Sequence, residues 1–378
     1  MVAARRAGRE GRPAVRALGD DIAAIDWELA ELPRPSVVYC GAVHTGGGTF
    51  VGTGAAGGKP RPIHLLPRGD VTKPGPEVGP GALAVLTHRP PRFDPSASDG
   101  ARRAALAEWV ADAHNPLTWR SLANRVWRYH LGRGIVETPN DFGRMGQLPT
   151  HPELLDWLAF ELREGQSLKR LHRLIVTSDT YRQSSAGSRY AAEDAGNAQY
   201  WRANRRKLDA ECVRDAMLLV AGKLDQRMYG PAFQDFVIDK PEHSPHYEYD
   251  RHDPEDARSH RRSVYRFLVR SRRQPFMAAL DCADPSMAVD RRNESVSAPQ
   301  ALAMLNDAFV LAMAKHFATR VEAMSATTEG RVTAAVRLAL GRSPTAAEVA
   351  ELKAYAERHG LANVCRVLFN LSEFAFVD

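Results

Sequence analysis

Three groups of side chains in this sequence are of types that could do chemistry. The first lies in the stretch from Gly132 to His151, where four Gly and two Pro precede His151 and alternate with Arg133, Asp141, Arg144 and Gln147, and His130 stands just before it. A loop so rich in special backbone positions holds one shape. His130, Asp141 and His151 are the residue types a general acid/base pair needs, and the same set also serves to fix a loop. The second is a histidine-rich segment within residues 239–260, with His243 and His246 in an H-x-x-H pattern and His252 and His260 beyond, among Asp250, Asp253 and Asp256. Imidazoles and carboxylates suit zinc or manganese, but the spacing matches no zinc motif, so a polar surface loop explains the segment equally. The third comprises Arg262, Arg266 and Arg270, which a strand over SVYRFLVR would place on one face, with Arg291, Arg292 and Asn293 near Asp281 and Asp284. Guanidinium forks of this kind, with Arg133, make either internal ion pairs or an anion site for a carboxylated or sulfated glycan.

Other chemistries leave no trace. Walker loops, dinucleotide fingerprints and nucleophile elbows are absent, and Asp141-Phe142-Gly143 lacks the other parts of a kinase site. Cys40, Cys212, Cys282 and Cys365 form no C-x-x-C pair and no haem-attachment C-x-x-C-H, so no cofactor is expected on this chain. Cys212 and Cys365 fall in apolar helical patterns and read as buried thiols. The net charge is +6 over 378 residues, yet basic and acidic residues are interleaved, which argues against a nucleic-acid partner. No apolar run reaches the eighteen or so residues of a membrane span.

The elements that must position these groups are mainly helical. Asn115-Pro116 starts a helix that ends at Gly132 or Gly134, with Leu122, Val126 and Tyr129 as its stripe. Thr150 and Glu153 read as a capping box opening a second helix to about Gly165, with Leu154, Leu155, Leu158 and Leu162 inside. Ser167 opens a third, with Leu168, Leu171, Leu174 and Ile175. Further helices are expected over 102–113 (Leu106, Trp109, Val110 inside), 207–220 (Leu208, Cys212, Ala216, Leu219 inside) and 299–321, and after a second capping box at Thr345 and Glu348. The expected fold class is therefore mainly α, a compact multi-helix domain with a small β-element at its N-terminal side. Its parts are a helical remnant of a preceding domain (1–32), a β-rich segment with a Pro/Gly linker (33–100), a helical core with one inserted strand region (101–322), and C-terminal helices packed on that core (323–378).

The runs NRVWRYHLGRGIVETPNDFG, THPELLDWLA and LHRLIVTSDTYRQS carry a family likeness, as do RRSVYRFLVRS, LDCADPS, RRNESVSAPQALAMLND and CRVLFNLSEFAFVD. They resemble, in the same order, the C-terminal domain of unknown function that follows cytochrome c modules in large exported proteins of planctomycetes and related bacteria. The resemblance covers about three quarters of the chain and brings no biochemical activity with it. It implies a periplasmic or exported setting, haem c only on modules absent here, and cytochrome c modules, other exported proteins or polysaccharide as partners. The first sixteen residues carry five Arg and no apolar signal region, which suggests a C-terminal fragment or a gene read from an internal Met. The first functional expectation is an accessory module in polysaccharide handling or redox assembly. The second is a metal-dependent hydrolase using His243, His246 and His252, and the third a basic nucleic-acid binder.

Overall fold

The computed structural model describes residues 18–19, 21–26, 28, 62–187, 189–239 and 245–377. The chain divides into two compact units, Met1–Val110 and Ala111–Asp378. In the first, the described residues between 18 and 28 are helical, with Ile22 and Ile25 more than half exposed. β1 (Ile63–His64) pairs antiparallel with β2 (Glu77–Val78). Between them Arg68-Gly69 turns through positive φ, and Asp70 closes the turn by accepting from the amide and hydroxyl of Thr72. The helix expected over 102–113 is α1 (Asp99–Ala111); it buries Trp109, while Leu106 and Val110 stay exposed.

The second unit opens with three helices. In α2 (Pro116–Leu131), Asn115 caps the first turn by accepting from the amides of Leu117 and Thr118. Gly132 closes the helix in the left-handed region, φ 80°. The buried face is Ala123, Val126, Trp127 and Leu131, about one position round from the expected stripe; Leu122 and Tyr129 face out. α3 (Pro152–Gly165) and α4 (Leu168–Val176) bury Leu155, Leu158, Leu162, Leu171 and Ile175 against it, while Leu168 is exposed. Ser167 caps α4 as expected. Thr150 does not cap α3, because its amide and hydroxyl both donate to the carbonyl of Ile135, 15 residues back, and the N-cap falls to His151. A tertiary tie has replaced the local box.

The second core gathers α5 (Ala210–Val220), α6 (Pro275–Ala279), α7 (Ala298–Asn306), α8 (Ala308–Glu322), α9 (Thr328–Leu340), α10 (Ala346–His359), α11 (Leu361–Asn370) and α12 (Ser372–Ala375) around Met217, Phe276, Phe317, Leu368 and Phe369. One helix was expected over 299–321; instead the chain bends 51° at Asp307, whose carboxylate accepts from the amide of Phe309 and restarts the helix. No single described helix is long and apolar enough to cross a membrane; the bent pair passes only by length and composition, and most of α8 is packed in this core. The capping box at Thr345 and Glu348 is present. β3 (Arg206–Lys207) pairs antiparallel with β6 (Phe376–Val377), tying the chain end to the start of α5. β4 (Val237–Asp239) and β5 (His246–Glu248) form a hairpin ladder. SVYRFLVR is not a strand: Ser263–Tyr265 is a 3₁₀ turn.

α5 starts three residues later than expected and turns a different face inward. Ala210, Val213, Met217 and Leu218 are buried, and Cys212 and Leu219 are exposed. Cys365 is buried as expected, and burial pushes its thiol up to about 12. Partial burial and the acids Asp209, Asp215 and Glu211 raise the Cys212 thiol as well, but its sulfur is on an exposed residue, so a maleimide is expected to label Cys212 slowly in the native protein and Cys365 only after denaturation. Peptide mapping of native-state labelling checks this; modification of Cys365 at a rate like that of Cys212 would contradict it.

Candidate functional site

A basic hollow of the second unit lies where the end of α2, β3 and the segment 291–297 meet. Arg128, Tyr129, Gly132, Arg206, Lys207, Asp209, Cys212, Arg292 and Glu294 line one part, and an adjoining part adds Arg133, Glu137, Arg291 and Asn293. Gly132 is needed at the junction: beyond its positive φ, a Cβ there would sit 2.8 Å from the Arg206 side chain. Arg206 lies across it and donates to the carbonyl of Tyr129 at 2.5 Å.

The frame is built from satisfied polar groups. Asn124, fully buried, donates to the carbonyl of Val136 and accepts from its amide, both at 2.9 Å, which pins the loop after Gly132 to α2. The Tyr200 hydroxyl and Asn204 hold the carbonyls of Arg133 and Leu131. Lys207, its side chain 3% exposed, donates to Asp281 (2.7 Å), to the carbonyl of Ser295 (2.9 Å) and to Gln300 (2.9 Å), so the segment carrying Arg291 to Glu294 is tethered to β3. Arg292 forks onto Glu211. Burial is the largest single influence and would raise that carboxyl, but the hydrogen bonds from Arg292, the Glu211 backbone and Cys282 together with the Arg292 charge outweigh it, and the net shift is downward. Arg133 is spent on Glu137 and the carbonyl of Gly196. Arg128 and Arg291 have no side-chain hydrogen bond or ion pair to any described residue. Two uncommitted guanidinium forks thus line a hollow whose other cations are fixed, an arrangement suited to an anion with hydroxyl groups.

Residues 102–356, about two thirds of the chain, match PSD1, a family of proteins of unknown function (DUF1553). The chain belongs to that family. No curated protein and no solved structure matches it.

In this PSD1 chain the first expected group is not one constellation. His130 pairs with His172 of α4, Asp141 accepts from the amide of Gly143 and shapes the loop, and His151 bonds Thr150 and packs on Tyr200. The expected arginine set divides as well. Arg262 and Arg270 are exposed while Arg266 is buried 3.6 Å from Asp235, so the three share no face, because the segment is a turn and not a strand. Asp281 serves Lys207 and Asp284 caps Ser286. Arg133, Arg292 and Asn293 do come together, in the basic hollow. His243 lies outside the described residues. His246 is exposed beside Glu248 at 4.0 Å, and among the described residues no three metal-ligating side chains converge. His252 is held below the usual range by burial, which outweighs Asp235, Asp256 and Asp253.

Sequence reasoning missed Arg128, Arg206, Lys207, Glu211 and the buried Arg214. Only Arg214 left a signal: with Ala210, Val213, Met217 and Leu218 it completes the apolar stripe of α5, where an arginine must find partners.

Proposed function

We propose that this PSD1 chain is an accessory, non-catalytic module of a cytochrome c-linked exported bacterial protein, and that its basic hollow holds a segment of acidic polysaccharide. The observation that supports this is the pair of uncommitted guanidinium groups, Arg128 and Arg291, in one hollow with Asn293 and with the fixed cations Arg206 and Arg292. Guanidinium forks match carboxylate and sulfate oxygens. The interleaved acids Glu137, Asp209 and Glu294 accept from sugar hydroxyls and repel a polymer as densely charged as nucleic acid. The chain's four cysteines offer no haem attachment site, so haem would reside on other modules of the assembly.

Calorimetry with oligogalacturonate and heparin-derived oligosaccharides tests the reading. Saturable binding of at least one is expected, weakening with salt, and the double change Arg128→Ala with Arg291→Ala is expected to lower affinity about tenfold or more, as for two charge-assisted contacts of roughly 1 kcal/mol each. Binding of neither acidic glycan, or affinity unchanged in the double variant, would overturn it. Neither arginine holds another described side chain, so the variant is expected to melt like the parent.

A further inference from the structure

His130, in the last turn of α2, and His172, in α4, meet ring to ring between the two helices. His130 Nε2 and His172 Nδ1 are 2.7 Å apart and the ring planes cross at 77°. Only one proton fits between two imidazole nitrogens, so one of the pair already presents a lone pair at the point of contact. The helices beneath are rigidly packed: Leu131 and Leu171, each adjacent in sequence to one of the histidines, are 5% and 1% exposed in the same core. Tyr181 stacks edge-on against His130, centroids 5.7 Å apart, while His172 is open to solvent.

We propose that His130 and His172 form a two-histidine seat for a divalent ion of the imidazole-preferring kind, copper(II) or zinc. A metal about 2.0–2.1 Å from both nitrogens requires them about 2.9 Å apart at a right-angled bite and about 3.4 Å apart in a tetrahedron. The pair must therefore open by a few tenths of an ångström or somewhat more, which the exposed His172 ring supplies by rotation; the donor ring then carries its proton on its other nitrogen. Besides burial, His172 and Arg206 are the groups that act on His130, and all three favour the neutral, ligating ring. No carboxylate enters the set, which disfavours calcium and magnesium and favours ions that bind nitrogen strongly. Two protein ligands leave coordination positions for water or an anion. Arg206, which also lines the basic hollow, carries the charge to hold such an anion.

The test is a calorimetric titration of untagged, chelator-stripped full-length protein with copper(II) and with zinc, in parallel with His172→Ala and His130→Gln. One saturating equivalent is expected in the parent, with the signature of two bound nitrogens in the copper electron-resonance spectrum. Its affinity is expected to fall at least about tenfold in each variant, since each removes one of only two protein ligands. His172 is exposed, so His172→Ala keeps the fold even if His130→Gln does not, and background binding by the other histidines is common to both proteins. Absence of a one-equivalent step, or a step unchanged in His172→Ala, would overturn the proposal.

Discussion

Arg214→Met is expected to destabilise the protein by about 4 kcal/mol, the cost of breaking a buried, paired charge network by removing one partner. Arg214 is 5% exposed on the inner face of α5. Its fork donates to the carbonyls of Ser259 (2.5 Å) and Arg261 (3.1 Å) and to the Ser263 hydroxyl (3.2 Å), and its guanidinium lies over the rings of Phe233 and Phe309. Burial lowers its pKa to about 10, with Asp235 and Asp215 opposing the shift, so it remains charged at neutral pH. Methionine fills much the same volume but leaves two carbonyls and the Ser263 hydroxyl without this donor, and removes a positive charge from beside Asp235. Arg214→Lys should recover little, because one ammonium cannot reproduce the fork. Asp235 is already raised by burial against the opposing pull of Arg266 and Arg214. A carboxyl raised in the fold binds its proton more tightly there than in the unfolded chain, so its contribution declines as pH rises from the ordinary value through the folded one. Losing Arg214 raises Asp235 further, and the deficit should therefore be greatest near neutrality and shrink in acid. Urea unfolding at two pH values reads both effects; a loss under about 1 kcal/mol would show that segment 225–266 does not depend on this arginine.

What the sequence made legible was local. Asn115-Pro116, Gly132, Ser167 and the Thr345–Glu348 box each act on backbone groups within four residues, and all four are found where expected. The exceptions are one tie to a partner distant in sequence and one local contact that competes with a continuous pattern. Thr150 fits the sequence pattern of a capping residue but is drawn to Ile135, 15 residues back, and Asp307 divides a continuous apolar pattern because its carboxylate accepts from the Phe309 amide within it. The period-two pattern in SVYRFLVR failed for a related reason: Arg266 is buried on Asp235 and the Ser263 amide and hydroxyl are held by Asp215, so the backbone turns where isolated propensity favours a strand. The basic hollow was half legible. Arg133, Arg292 and Asn293 were suggested by residue type, but Arg128 sits on a helix face that periodicity reads as solvated, and Arg206 and Lys207 are placed by pairing with the chain end some 170 residues on.

Lys207→Met is expected to weaken anion binding and to cost about 3 kcal/mol, the penalty for leaving the partners of a buried charge unmatched. The Lys207 ammonium holds Asp281, itself at φ 66°, together with the Ser295 carbonyl and Gln300, and so fixes the segment that presents Arg291 and Arg292. Burial alone would raise the Asp281 carboxyl, but hydrogen bonds from Lys207 and Ser295 outweigh it and hold the pKa below the usual value. For a carboxylate lowered in the fold, the stability is fully present above the unfolded pKa of about 3.9 and is lost as pH falls towards the folded one. Removing Lys207 takes away the strongest of the lowering influences and leaves the Ser295 hydrogen bonds against burial, so Asp281 titrates at higher pH and this part of the acid sensitivity shrinks. Unfolding measured at pH 7 and at pH 3 separates the cases, since the variant should differ from the parent much less in acid. Arg128→Ala with Arg291→Ala supplies the contrast, because those changes should lower affinity at unchanged stability, whereas Lys207→Met should lower both. A Lys207→Met protein that binds the acidic glycan as tightly as the parent would show that the 291–297 segment keeps its place without the buried lysine.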